Sequence, residues 1–252
     1  MNLRSILPLL LLLAATRLPA QKSIADSAIS ANLIHANFAL QFPGGDLSEQ
    51  FGMNSLVGAG YLHKTSSNWV FGFEGNFMFG DQVKNENEVL SLIETSDGNL
   101  IDMEGIYANY NFNERGFTAF VKAGKVIPAW GPNSNSGFLV TLGAGYLQHK
   151  IYIEHRDKTA PQITGDYLKG YDELKNGPAA NLFAGYLFLG NANKVNFYAG
   201  IDLTLASTSY VRPYSFNRME YTSGRFTDFQ AGLKIGWIIP VYRRAPKEYY
   251  YY

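Results

Sequence analysis

The C-terminal part of the chain alternates apolar residues with polar or small ones over a long stretch. From residue 229 to 242 the odd positions are apolar, whereas the even positions begin Gln230, Gly232, Lys234, Gly236. Successive side chains of a β-strand point to opposite faces, so one face here is continuous hydrocarbon. Soluble strands average about 5 to 6 residues, and a tilted strand needs roughly 9 to 11 to cross a bilayer. This stretch therefore predicts a membrane-spanning strand.

The same period of two recurs along the chain and predicts the other strands. A second apolar face is formed by Trp69, Phe71, Phe73, Phe77 and Phe79. Nine strands are predicted in this way, at 30–42, 54–64, 69–80, 105–112, 117–126, 138–146, 180–189, 195–207 and 229–242. A single-chain bacterial barrel with both ends on one side needs an even number, so one of these assignments must be wrong.

Short polar reversals favour eight strands. Those at 65–68, 113–116 and 190–194 equal in number the periplasmic turns of an eight-stranded barrel. Before the second reversal, a strand at 105–112 is expected to face Ile106, Ala108, Tyr110 and Phe112 outward. We therefore predict an all-β fold, a transmembrane antiparallel up-and-down β-barrel of eight strands with long outer loops. Part of 128–177 would then fold above or against the barrel. A ten-stranded barrel is the alternative.

The first residues predict export. Arg4 precedes an apolar run at 6–15, and the small residue Ala20 marks a cleavage position, which together indicate a secretory signal peptide. No later run reaches the roughly 18 consecutive apolar residues of a transmembrane helix. The predicted organisation is a cleaved signal peptide at 1–20, an outer-membrane β-barrel at 21–242 and a periplasmic Tyr-rich tail at 243–252.

The amino-acid composition agrees with a barrel and excludes some kinds of binding site. Aromatic residues are 15% of the chain and there are 25 glycines, yet the mean hydropathy is slightly negative, as expected when apolar and polar residues alternate in an outer-membrane barrel. The absence of cysteine excludes disulfides and thiolate metal sites. Acidic and basic residues balance at 21 each, so the charge gives no reason to expect nucleic acid.

Two acidic and two basic residues occupy strand positions whose side chains should point into the barrel. They are Glu74, Lys122, Asp202 and Lys234. The interior of a small barrel is just wide enough to be filled by side chains, and an unpaired buried charge is costly. We therefore predict that these four residues form a charge network in the lumen. A proton or ion path is the alternative interpretation.

Other polar residues are candidates for a site at the barrel rim. His149 and His155 lie near Asp157, Asp166 and Asp172 in sequence, so an acid/base pair at the barrel rim is conceivable. Ordinary rim histidines are the simpler interpretation, and we predict no catalytic, cofactor-binding or metal-binding residues. The segments 169–174 and 211–218 mix aromatic and charged residues, a composition typical of contact surfaces.

The last strand resembles the assembly signal of bacterial outer-membrane barrels. That signal has a polar residue, a glycine two positions later, then a hydrophobic residue and an aromatic residue at alternate positions. Gln230, Gly232, Ile235 and Trp237 match it. The resemblance implies recognition by the barrel-assembly machinery during insertion.

More broadly, residues 29–252 are similar to a small outer-membrane β-barrel family of bacteria with type IX secretion. The segments that carry this similarity are GGDLSEQFG at 44–52, GYLQHKIYI at 145–153, KGYDELKNG at 169–177 and GLKIGWIIPVYRRAPKEYYYY at 232–252. The resemblance implies an accessory role in secretion or barrel assembly.

The function expected from the sequence is that of a non-enzymatic, integral outer-membrane protein that serves as a structural or accessory subunit of an outer-membrane secretion or assembly machine. Its partners would be outer-membrane lipid, the assembly machinery and the subunits of a secretion or assembly complex, contacted through the outer loops and the tail. A lipid-modifying or proteolytic enzyme with a rim site and a narrow pore for small solutes are the two alternatives.

Overall fold

The computed structural model describes residues 27–191 and 195–242, in which eight long strands close into one antiparallel barrel. Neighbouring strands follow the order β1-β10-β7-β6-β5-β4-β3-β2. The barrel strands are β1 Ala31–Gly45, β2 Asn54–Lys64, β3 Trp69–Gly80, β4 Tyr110–Pro128, β5 Gly137–His155, β6 Lys175–Leu189, β7 Asn196–Tyr210 and β10 Arg225–Tyr242. The predicted eight-stranded barrel is thus confirmed, and the ten-stranded alternative is wrong. The predicted signal peptide and tail lie outside the described residues.

The outward faces carry a belt of exposed apolar side chains. On seven of the strands the belt includes Phe38, Val57, Phe73, Val121, Leu142, Ile201 and Leu233. Leu142 is 65% exposed and Leu233 63%, whereas their inward neighbours Thr141 and Lys234 are buried. So many large apolar side chains on the outside of a closed sheet are expected only where lipid covers them.

The predicted reversal at 113–116 is wrong, and this explains the ninth strand. β4 runs without a break through it, with Asn113 paired to Tyr152 and Gly116 to His149. Residues 110–112 of the predicted strand 105–112 and all of 117–126 belong to this one strand, which extends outward beyond the apolar belt. Polar residues occupy both faces there, so the segment resembles a turn. The rest of the first prediction is wrong, because residues 105–109 lie in the preceding outer loop. Phe112, expected to face outward, instead faces inward and is buried.

The connections differ at the two ends of the barrel. The connections are short at 65–68, at 129–136 and between Leu189 and Asn196, and this identifies the periplasmic end. At the outer end, L1 is 46–53, L2 is 81–109, L3 is 156–174 and L4 is 211–224. These loops contain the short helices α1 Leu47–Gln50, α2 Glu86–Val89 and α3 Leu168–Tyr171, the 3-10 turns Pro161–Ile163 and Gly165–Tyr167, and the hairpin of β8 Tyr214–Ser215 with β9 Glu220–Tyr221. Within the described ranges, no helix is long and apolar enough to cross a membrane.

Buried side chains fill the lumen in layers from one end to the other. An apolar cluster at the periplasmic end includes Leu33, Leu62, Val126, Leu139, Phe183 and Ile238. Farther out, Ala39, Leu56, Met78, Phe120, Leu147, Ala179 and Ala206 form a thinner apolar layer. A third cluster, the loop cap, closes the outer end with Leu47, Phe51, Val83, Leu90, Leu100, Phe112, Ile151 and Ile163 among its members. Polar residues occupy the two levels between these clusters.

Candidate functional site

The four charged residues predicted for the lumen lie together at the first polar level. Lys234 Nζ is 2.8 Å from Glu74 Oε1 and 2.8 Å from Asp202 Oδ1. Lys122 Nζ lies 2.9 Å from the same Glu74 oxygen. All four side chains are at most 4% exposed, and their formal charges cancel. The pairing removes the main penalty of burying four charges, because each has an opposite charge within contact distance.

Three further polar side chains contact the carboxylates of this network. Asn76 Nδ2 donates to Glu74 Oε1 at 3.1 Å, and Asn181 Nδ2 donates to Asp202 Oδ1 at 3.2 Å. His35 Nε2 lies 3.3 Å from the second Glu74 oxygen. The adjoining void measures about 10 Å³, which is room for about one water molecule. At this level the barrel is filled rather than hollow.

A second polar level lies just below the loop cap. Asp228 Oδ2 accepts a hydrogen bond of 2.6 Å from the Thr208 hydroxyl and lies 3.2 Å from His149 Nε2. Glu114 Oε2 accepts from Asn54 Nδ2 at 3.0 Å. Glu114 and Asp228 are not among the lumen residues predicted from the sequence. Glu114 lies on β4 with Lys122, and Asp228 lies on β10 with Lys234, each an even number of residues away and therefore on the same inward face. The predicted strands began at 117 and 229, so they did not include these two residues.

The two rim histidines make structural contacts. His149 is fully buried beneath Phe51, with their ring centroids 5.7 Å apart. The His155 Nε2 accepts a hydrogen bond from the Ala160 backbone N–H at 3.1 Å. Its Nδ1 therefore carries the proton and donates to the Asn109 carbonyl at 2.9 Å. Each ring is thus committed to contacts that hold strands or loops together.

The nearby carboxylates have partners of their own. Asp166 Oδ1 lies 2.6 Å from Lys169 Nζ, and this hydrogen bond lowers the pKa of Asp166. Asp172 is paired with Arg212 of L4. Neither Asp166 nor Asp172 therefore forms the acid/base pair considered for the rim.

The segments 169–174 and 211–218 contact each other. Arg212 Nη2 and Nε donate to the two carboxylate oxygens of Asp172 at 2.7 and 3.1 Å, and the pairing raises the pKa of Arg212. Tyr171 and Phe216 pack edge to face at 5.4 Å between ring centroids. The Phe216 N–H donates to the Gly170 carbonyl at 2.9 Å. Their mixed aromatic and charged composition thus serves a contact within the chain, between L3 and L4.

Arg212→Ala is expected to loosen L4 without unfolding the barrel. The substitution leaves the buried Asp172 carboxylate without its bidentate partner, and losing a charged hydrogen bond at a partly exposed site costs about 1–2 kcal/mol. Chymotryptic cleavage at Tyr214 and Phe216 should become severalfold faster. Arg156→Ala, which removes an exposed ion pair with Glu154, is the matched control and should leave the cleavage rate unchanged. Equal rates in all three proteins would contradict the prediction.

L2 projects an apolar tip on a fixed base. Within it, Ile101, Met103, Ile106 and Tyr107 are 45%, 72%, 58% and 59% exposed, and we call these four residues the L2 tip. Asp102 Oδ1 accepts the backbone N–H groups of Glu104 and Ile106 at 2.8 and 3.2 Å, so it closes the turn. A hydrogen bond from Thr159 of L3 lowers the pKa of Asp102. These four large side chains are therefore held in water at the outer end of the barrel.

The residues of the predicted assembly signal are divided between the two faces of β10. Gln230 and Gly232 face the lumen, whereas Ile235 and Trp237 are 60% and 70% exposed on the lipid face. β10 pairs with the whole of β1, from Ala31 opposite Tyr242 to Gly45 opposite Asp228, and so closes the barrel. Recognition of this strand by an assembly machinery stays a prediction.

Gly232→Ala is expected to disturb this closure. A Cβ at Gly232 would overlap the carbonyl oxygen of Leu40 on β1, and overpacking of this kind costs about 1–3 kcal/mol. The folded fraction after refolding into lipid, resolved from the unfolded protein by gel mobility without heating, should fall. Gly75→Ala is the control, because the nearest atom to its Cβ would be 3.9 Å away. Equal losses in the two variants would show that closure does not depend on a glycine here.

The closed sheet, its apolar belt and its filled lumen define a small transmembrane β-barrel of the type found in bacterial outer membranes. No family model matches the chain, and no curated protein matches it. Among solved structures, the chain is similar to Ail, the attachment invasion locus protein of Yersinia pestis, in complex with the heparin analogue sucrose octasulfate. The identity is 11%, the TM-score is 0.41, and the match covers 83% of this chain and 99% of the other.

Two further outer-membrane proteins share this similarity. Neisserial surface protein A is 11% identical with a TM-score of 0.41, over 82% of this chain and 96% of the other. The outer membrane protein OprG from Pseudomonas aeruginosa is 11% identical with a TM-score of 0.35, over 86% of this chain and 99% of the other.

Proposed function

We propose that this chain is a non-enzymatic barrel that serves as an accessory subunit of an outer-membrane secretion or assembly machine. The observation that carries the proposal is the L2 tip, four exposed apolar or aromatic side chains on a loop anchored to L3. Exposed apolar patches outside lipid are characteristic of contacts with other proteins. Because backbone hydrogen bonds hold the loop, little conformational entropy would be lost when a partner binds.

The filled lumen supports an accessory role over that of a pore. Charged, apolar and loop-derived side chains block the described barrel at successive levels. Purified protein in a planar bilayer is therefore expected to show no stable single-channel conductance. A reproducible conductance that disappears in a variant of Lys234 would favour the pore instead.

The positions of the histidines favour the accessory role over the enzyme alternative. Two open depressions of about 830 and 680 Å³ lie among the outer loops, and no histidine of the described chain lines either one. The enzyme alternative predicts altered lipid A in a deletion strain. Unaltered lipid A together with a secretion or assembly defect is expected under the proposal.

Affinity purification from cross-linked membranes tests the proposed role directly. The wild-type protein should co-purify with subunits of a secretion or assembly complex in constant proportion. Ile106→Ser with Tyr107→Ser should abolish that co-purification. Met219→Ser with Tyr221→Ser, which changes side chains 64% and 80% exposed in L4, is the matched control and should retain it. Wild-type protein isolated without such a complex, or loss in the control as well, would refute the proposal.

A further inference from the structure

On β4 the apolar belt ends at a cation on each side. Outward positions from Phe117 to Ala123 are apolar, and the next ones are Arg115 toward the outer end and Lys125 toward the periplasmic end. At the rise of a β-strand and a tilt near 40°, this spacing spans about 25 Å along the membrane normal, which is the height of the apolar band of an outer-membrane barrel. Arg115 therefore lies at the level of the outer headgroups.

A second cation lies directly opposite Arg115. In the antiparallel ladder of β4 and β5, Arg115 pairs with Lys150, and both residues face outward. Side chains opposite each other have Cβ atoms about 4.5–5.5 Å apart, and like charges in this arrangement repel. Neither cation has an acidic partner within ion-pairing distance among the described residues; Glu154, the nearest acid on β5, pairs with Arg156 at 3.2 Å. An anion bound between the two side chains would reduce their mutual repulsion.

We propose that Arg115 and Lys150, with Tyr152 beside them, form a binding site for a phosphate group of an outer-leaflet lipid. The proposal rests on the outer-membrane barrel class and is independent of the accessory role.

The local geometry suits a phosphate. The Arg115 guanidinium lies 5.5 Å from the centroid of the Tyr152 ring, and Arg115 Nη1 donates to the Glu114 carbonyl at 2.8 Å. These contacts hold the guanidinium while other N–H donors remain available. A planar guanidinium and an ammonium group can together bind separate oxygens of one phosphate. Phe117 and Tyr146 pack together just below, with ring centroids 6.0 Å apart, and provide an apolar surface for the acyl chains.

The test measures the affinity of the full mature protein for diphosphoryl lipid A in mixed detergent micelles. The Arg115→Gln, Lys150→Gln double variant should bind about tenfold more weakly, since two charge-assisted contacts are lost. Fully dephosphorylated lipid A should bind the two proteins alike. An excess of inorganic phosphate should not displace the lipid, because the acyl chains supply part of its affinity.

The matched control removes two cations from L3, beyond the headgroup level. Arg156→Gln with Lys158→Gln changes the net charge equally and should leave the affinity unchanged. The proposal fails if this control weakens binding as much as the rim variant does, or if the rim variant binds like the wild type. It also fails if dephosphorylated lipid A binds the wild type equally well, or if inorganic phosphate displaces the lipid, which would indicate a site for free phosphate.

Discussion

Glu74→Gln is expected to lower the free energy of unfolding of the barrel by about 3–5 kcal/mol, the usual cost of breaking a buried ion pair by removing one partner. Glutamine keeps the size of the side chain, so the effect isolates the charge. Glu74 is the carboxylate that lies 2.8 Å from Lys234 and 2.9 Å from Lys122. Without it, two buried ammonium groups share the single charge of Asp202. Equilibrium unfolding in urea with lipid vesicles measures the change.

A compensating substitution separates charge balance from damage to packing. Glu74→Gln combined with Lys122→Met restores a neutral lumen and leaves the Lys234–Asp202 pair intact, so most of the lost stability should return. Glu154→Gln, which breaks an exposed pair with Arg156, should cost less than about 1 kcal/mol. A double variant less stable than Glu74→Gln alone would show that the four residues do not act as one neutral network.

The sequence was sufficient to assign residues to faces because the bilayer imposes a strict rule. A side chain of a spanning strand meets either lipid or the lumen, and the two environments alternate with every residue. Phe73 and Glu74 are adjacent in sequence, yet one is 60% exposed and the other 4%. The same alternation predicted that Lys122, Asp202 and Lys234 face inward. Opposite charges confined to a narrow lumen then favour pairing.

The rule fails where the strands leave the membrane. The outer part of β4 has polar headgroups and water on one side and the second polar level of the lumen on the other, so its faces no longer differ in polarity. Glu114 faces inward and Arg115 outward there, but neither residue type indicates the direction. The segment consequently resembles a turn in sequence, although cross-strand hydrogen bonds to β5 continue through it.

The loop cap could not be predicted because its contacts join distant parts of the chain. Asp172 and Arg212 are 40 residues apart, and Gln50 of L1 donates to Glu173 of L3 across 123 residues. Charged and aromatic residues in a loop can contact another protein or another loop, and composition does not distinguish the two. In 169–174 and 211–218 the partner is the other loop, whereas the L2 tip remains uncovered.

Val121→Arg is expected to destabilise the barrel by about 2–4 kcal/mol in a bilayer, the cost of an arginine on the lipid face near the membrane midplane. Val121 lies about midway between Arg115 and Lys125 on the outward face of β4 and is 71% exposed. An arginine there must lose its hydration or thin the surrounding bilayer. Reversible unfolding in the presence of phospholipid vesicles gives the free energy directly.

An arginine placed at a different depth in the bilayer tests the membrane orientation. Ile127 is also outward and 53% exposed, but it lies beyond Lys125, on the periplasmic side of the belt on β4. Ile127→Arg can extend its guanidinium to water and should cost only about 0–1 kcal/mol. If the two arginines cost the same, the belt around Val121 would not face hydrocarbon. A difference of the expected size would require lipid there, because in water an arginine at either exposed position would be equally well hydrated.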